Sequence, residues 1–252
     1  MKEKATFATM LFSATSSISV MDYLNTNNYY QFIFGEANTV AISIKQRFWQ
    51  VNSRAITKIV GAATGNIRIL EYVPDEIAHP FDVLYHFIKR TNEGEKKKRF
   101  VVFVKRTCVA DFIAQNESSK KFNRDAIEKR NRLLGQFIDG KVHVLVATQL
   151  LTRGTDMEVD YVINYDLPLN YFDFVHRCGR TGRNQQSGTA VTFVDLNNED
   201  DYSRRVLRQI VLNFKQDLPK FLLEFAENAK ISKEAEMEIR QNVAKNREIN
   251  FN

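Results

Sequence analysis

HVLVATQLLTRGTDMEVDYVINYDLPLNYFDFVHRCGRTGRNQQSGTAVTFV, residues 143–194, holds three short runs rich in β-branched and aromatic residues: His143–Thr148, Tyr161–Tyr165 and Thr189–Val194. A fourth, Phe100–Val104, precedes them. Each run is continuously apolar rather than alternating, which predicts strands covered on both faces, as in a parallel sheet. Outside the stretch, Leu133, Leu134, Phe137 and Ile138 keep helical spacing and stop at Asp139-Gly140, with the glycine a natural C-terminal cap. Val206, Ile210, Leu212 and Phe214 predict another helix, opened by the polar cluster Asn197–Asp201. Strands alternating with helices give an α/β fold with right-handed crossovers.

The same stretch carries the strongest chemical signal, His176-Arg177-Cys178-Gly179-Arg180-Thr181-Gly182-Arg183. Two glycines allow a tight turn and close approach to a ligand. Arg180 and Arg183 are three apart, so on one helical turn their guanidiniums converge on one target. Planar, permanently charged forks suit a phosphoryl group better than lysine does. Arginines alone would read as a solvated surface cluster or an RNA-backbone patch. The two glycines and His176 in frame favour a phosphate site instead.

At this point the sequence resembles a known family. The pattern His-Arg-x-Gly-Arg-Thr-Gly-Arg is the sixth motif of DEAD-box RNA helicases, and His176 in place of the glutamine of DEAH-type relatives favours the DEAD branch. Ala147–Asp156 looks like the fifth motif, and Tyr161–Pro168 resembles the connector that follows it. Ser13-Ala14-Thr15 is similar to the third motif, which ends the first of two lobes, and Phe103-Val104 opens a weaker fourth motif. Asp217–Leu222 is similar to the end of the Vasa-like subfamily.

The resemblance implies a RecA-like parallel sheet with helices on both faces. It implies an N-terminal remnant of a first RecA-like domain and linker over 1–44, and a second RecA-like domain over 45–228. Residues 61–92 read as an insertion, and 229–252 as a charged helical tail. It further implies that Arg180 and Arg183 reach the γ-phosphate of ATP held on the other lobe. Asp156 binds the ribose, with Gly154 beside it. Thr148 and Gly154 contact the RNA backbone, as does Arg130. His176 bridges to Ser13 and Thr15, coupling nucleotide state to lobe closure. ATP with Mg2+ is the implied cofactor, held mainly by the first lobe. RNA, that lobe and protein regulators are the implied partners, with no membrane and no metal held by this chain. Ala114–Asp125 is shorter than the strand and turn the family places there. Either the strand is lost or residues are absent from the chain as numbered.

Composition agrees with this reading. A net charge of +6 favours a polyanionic partner, and a basic strip (Lys96 to Arg99, Lys120, Lys121, Arg124) reads as a phosphate track or, more blandly, a solvated face. Cys108 and Cys178 lie far apart without CxxC spacing, which argues against a disulfide framework or zinc site. Both are expected to be buried, in a reducing compartment such as cytoplasm or nucleus. No apolar run reaches the roughly 20 residues of a membrane span.

Two decoys mimic nucleotide chemistry. Gly135–Val142 nearly fits a P-loop, but Val142 replaces the metal-binding hydroxyl, Phe137 and Ile138 belong to a core-facing helix, and the segment precedes a strand instead of following one. Pro74-Asp75-Glu76 mimics an acidic metal pair but reads as a helix start. The chain therefore presents half an active site: an ATP-dependent RNA helicase represented by its C-terminal half, inactive alone. The alternative is a truncated, non-catalytic module that binds RNA or protein.

Overall fold

The computed structural model describes residues 13, 15, 38–57, 59–60, 68–69, 77–116, 120–122, 127–148, 157, 159–183, 186–197, 201–214 and 217–228. The chain divides into two compact units, Met1–Val40 and Ala41–Asn252. In the second, strands β1 (Ile44–Gln50), β2 (Ile59–Val60) and β3 (Arg68–Ile69) precede helix α1 (Pro80–Thr91). Then follow β4 (Phe100–Phe103), α2 (Thr107–Asn116), β5 (Lys120–Phe122), α3 (Ile127–Ile138) and β6 (Val144–Ala147). The last elements are β7 (Tyr161–Asn164), α4 (Tyr171–Cys178), β8 (Gly188–Val194), α5 (Asp201–Asn213) and α6 (Lys220–Asn228).

Six strands form one sheet in the order β1-β8-β7-β4-β6-β5, and every pairing in it is parallel. All four strands read from the sequence are present to within a residue, and β4 and β6 are buried at every position. Register puts Phe100 level with Val144 and Tyr161, and Tyr161 level with Thr189. Side chains alternate between the two faces. One face carries Phe100, Val102, Val144, Val146, Ile163, Val191 and Phe193 against α1 and α2. On the other, Asn164 and Phe103 meet Cys178 and Arg177 of α4, and Phe48 meets Phe214 just after α5. Helices thus cover both faces, as expected.

Helix α1 shows why its sequence folds there. His79 caps it, its Nδ1 accepting the Phe81 N–H at 3.2 Å, and Pro80 sits where its missing N–H costs nothing. Phe81, Leu84, Tyr85 and Ile88 recur at helical spacing and are buried in the core. Each fully buried large side chain contributes roughly 1.5–3 kcal/mol.

Several expectations need correcting. Of the segment 61–92 read as an insertion, residues 80–91 form α1 and pack into the core. Helix α1 starts at Pro80, and Pro74, Asp75 and Glu76, read as a helix start, lie outside the described residues. The strand whose loss the sequence left open is present as β5, a three-residue edge strand beside β6. Strand β1 was not foreseen. Its alternation of Ile44 and Phe48 with Lys45 and Arg47 is that of a sheet edge, not of a covered interior. Cys108 is exposed and only Cys178 is buried. Ile138 is 50 % exposed, so Phe137 alone anchors the end of α3. The P-loop resemblance nevertheless fails as expected. Gly140 caps α3 at φ +73°, and the Lys141 and Val142 N–H groups donate to Gln136, leaving no cradle for phosphate. The tail 229–252 lies outside the described residues.

Candidate functional site

The arginine motif is built by the exit from α4. Asn170 caps the helix, accepting the Asp173 N–H at 2.8 Å while its own amide reaches Asp173 Oδ2 at 2.8 Å. The helix ends at Cys178, and Gly179 closes it with an N–H bond to Val175. Arg180 and Arg183 therefore do not share a helical turn. They lie on a non-helical turn with Gly182 at φ +68° between them, a conformation that favours glycine. Arg180 N–H donates to Arg177 O, Thr181 N–H to Cys178 O, and Gln186 N–H to Arg183 O. Arg180 is 7 % exposed, while Arg183 is half-buried and donates through Nε to Gly179 O at 3.2 Å.

Three close approaches fix this turn to the sheet. Thr181 Oγ1 donates to the carbonyls of Val159 at 2.5 Å and Asp160 at 3.2 Å, just before β7 begins. Gly188, the first residue of β8, lies so close that a Cβ there would sit 2.2 Å from Thr181 Oγ1 and 2.4 Å from Gly182 N. A Cβ on Gly182 would sit 2.8 Å from Ile44 at the start of β1. The turn thus rests on the amino ends of β7, β8 and β1.

Arg177 faces the other way. Its guanidinium lies over the Phe103 ring at 5.2 Å, and Nη1 donates to Asp166 O at 2.8 Å, both at the carboxyl edge of the sheet. Burial pulls its pKa down to about 10, so it stays charged at neutral pH. Desolvation pushes the Asp166 carboxyl above its usual range, against the Lys105 N–H that donates to Oδ2 at 2.8 Å and against the Arg177 charge. One helix therefore joins the two edges. The turn after its C-terminus sets Arg180 and Arg183 at the amino edge, and Arg177 leans back to the carboxyl edge, the direction in which helical side chains tilt.

Thr148, half-buried, directly follows β6 at the carboxyl edge. Five residues separate the level of Asp160 from that of Tyr165, about 16 Å along a strand. The fold does not bring Thr148 and the arginines together but sets them at opposite edges. Gly154 and Asp156 lie outside the described residues, and so does the side chain of Arg130, whose backbone is in α3. His176 is on α4. Ser13 and Thr15 belong to the other compact unit, where Ser13 Oγ donates to Thr15 O at 2.5 Å.

Sequence reasoning passed over Arg177 and Thr181, although both stand inside the quoted motif, and over Asp160 and Gly188. The basic strip is partly spent on the protein itself. Lys97 donates to Asn92 O, Lys98 to Asp160, and Arg99 to Phe137 O while stacking on the Phe137 ring. Among the described residues no group of three or more His, Cys, Asp or Glu could hold a metal ion, and no helix is long and apolar enough to cross a membrane.

Residues 80–185 match the helicase conserved C-terminal domain. The chain is 40% identical over 136 residues to the probable ATP-dependent RNA helicase DDX4 of Homo sapiens, covering 51% of this chain and 19% of that protein. It is 31% identical over 198 residues to the ATP-dependent RNA helicase DBP2 of Pyricularia oryzae, covering 76% of this chain and 35% of that protein. The fold superposes on S. cerevisiae Dbp5 bound to RNA and ADP BeF3 with a TM-score of 0.60 at 24% identity, over 82% of this chain and 49% of that one. The chain spans about a fifth of the length of the DDX4 relatives. With its parallel sheet and its arginine turn, the chain carries a RecA-like helicase C-terminal domain of the DEAD-box kind.

Proposed function

We propose that this chain is the C-terminal half of an ATP-dependent RNA helicase, which completes an ATP-hydrolysing centre by presenting Arg180 and Arg183 to nucleotide held on a P-loop lobe. The observation that carries this reading is the turn 179–183, pinned at the amino edge by Thr181 and by the close approach of Gly188. A turn that cannot drift holds guanidiniums where charge develops on a transferring phosphoryl group, and such arginines contribute roughly 10³–10⁵ in rate. The donor set suits a triphosphate: fixed cations with several N–H groups and no carboxylate inside the motif. When bound, ATP supplies the phosphoryl group. The part of this chain is to offer positive charge to it, with Asp156 on the ribose.

RNA belongs to the opposite edge in this reading. Thr148 contacts its backbone there, with Gly154 and Arg130 from segments flanking β6. His176 with Ser13 and Thr15 couples closure to nucleotide state. Mg2+ sits with the P-loop lobe. The test joins the chain to that lobe and measures RNA-stimulated ATP hydrolysis. Arg183→Ala is expected to lower the rate at least tenfold with the fold intact. A smaller loss overturns the role given to the arginine turn.

A further inference from the structure

Asp160 lies outside the arginine motif, yet more of the amino edge converges on it than on any other side chain described there. Its carboxylate accepts Lys98 Nζ at 3.0 Å and the Arg99 N–H at 2.9 Å. Its own N–H donates to Arg99 O at 3.1 Å. Its carbonyl accepts Thr189 N–H at 3.2 Å and, as the longer arm of a hydroxyl shared with the neighbouring Val159 O at 2.5 Å, Thr181 Oγ1 at 3.2 Å. One residue thus ties the entry to β4, the start of β8 and the hydroxyl that holds the arginine turn.

We propose that Asp160 is a positioning residue for the arginine turn, fixing where Arg180 and Arg183 point by clamping the chain just before β7. The work is done by the bond from Arg99 N–H to the carboxylate. That bond, with the reciprocal Asp160 N–H to Arg99 O, holds the peptide of residue 160 so that its carbonyl faces Thr181. The ion pair with Lys98 does little, because its partners are 38% and 35% exposed and water screens them. The proposal deepens the ATP reading above and rests on it for its catalytic consequence, but the clamp itself can be tested without nucleotide.

The first experiment is amide hydrogen exchange on the full chain. Asp160→Ala is expected to speed exchange at Arg180, Thr181 and Thr189 at least tenfold, leaving the amides of β4 and β6 unchanged. Asp160→Asn keeps an acceptor for the Arg99 N–H and is expected to restore the exchange pattern to within about twofold, and Lys98→Ala to leave it unaltered. Should Asp160→Ala fail to fold, Thr181→Val against Thr181→Ser tests the same clamp from its other side, by removing or keeping the hydroxyl. Unchanged exchange at the turn in Asp160→Ala, or in Thr181→Val, overturns the proposal. So does a loss in Lys98→Ala equal to that in Asp160→Ala.

The second experiment repeats the series on the chain joined to a P-loop lobe. Asp160→Ala is expected to lower kcat about tenfold with KM for ATP within twofold, and Asp160→Asn to recover it. A loosened turn with unchanged kcat upholds the clamp and sinks the arginine role. A rigid turn in Asp160→Ala sinks the clamp alone.

Discussion

Gly188→Ala adds one methyl group at the place where the arginine turn meets the sheet. The new Cβ would stand 2.4 Å from the Gly182 nitrogen and 2.7 Å from Thr181 Cγ2, where ordinary contact begins at 3.4 Å. One side of that contact is main chain, so no rotamer change relieves it. Turn or strand must move by about 1 Å. Overpacking of this kind costs typically about 1–3 kcal/mol. For a domain of this size that is roughly 2–12 °C in melting temperature. A displacement of about 1 Å at catalytic groups can cost as much as 10²-fold in rate, so hydrolysis by the two-lobe protein is expected to fall tenfold to a hundredfold.

Trp49, the sole tryptophan, stacks on Phe193 and meets the edge of Phe87, so its fluorescence reports unfolding in urea. Gly135→Ala is the control. It lies within α3 with nothing within 4 Å of an added Cβ, and should stabilise by up to about 1 kcal/mol through helix propensity. If both substitutions move the urea midpoint in the same direction, or Gly188→Ala leaves midpoint and rate unaltered, the close-packed turn is refuted.

Three further outcomes can be checked on the chain alone. Cys108 should react with a disulfide reagent at once and Cys178 only on unfolding, counted as one fast and one slow thiol by absorbance. Burial pushes the Cys178 thiol up to about 12. The unfolded chain therefore releases that proton at lower pH than the folded one. The associated stability is fully present below about pH 9 and is lost as pH rises through about 12, seen as a falling urea midpoint in alkaline buffer that Cys178→Ala flattens. Arg177→Lys should destabilise by about 1–3 kcal/mol, because an ammonium can neither stack flat on Phe103 nor reproduce the guanidinium fork. An unchanged midpoint would show that the stacking carries no weight.

The fold was legible where sequence and burial share one cause. Phe100–Phe103, Val144–Ala147 and Tyr161–Asn164 are interior strands covered on both faces, and an unbroken apolar run has few other homes. Edge strands escaped for the complementary reason. In β1 Lys45 and Arg47 alternate with Ile44 and Phe48, and β5 begins with two lysines, which read as a solvated strip. For the site, the sequence names candidate residues but not their geometry. Arg180 and Arg183 are named by the motif, yet their backbone is set by Gly182, by Gly188 and by carbonyls 21 and 22 residues upstream. Local spacing suggested one helical turn because Gly179, which closes α4 after Cys178, was read as easing approach to a ligand and not as a helix stop. Asp160 carries no local mark at all, since its partners come from β4, β8 and the motif.

A sheet has two rims, and the function proposed above gives each a different purpose. Thr148 stands at one and the turn 179–183 at the other, and the two are too far apart to share packing neighbours. Changes of free energy at sites so separated are expected to add rather than compound. Damage at either rim can therefore accumulate without aggravating the other, except along α4. There a single rod, with Arg177 bent back over Phe103, gives both rims a common mechanical member.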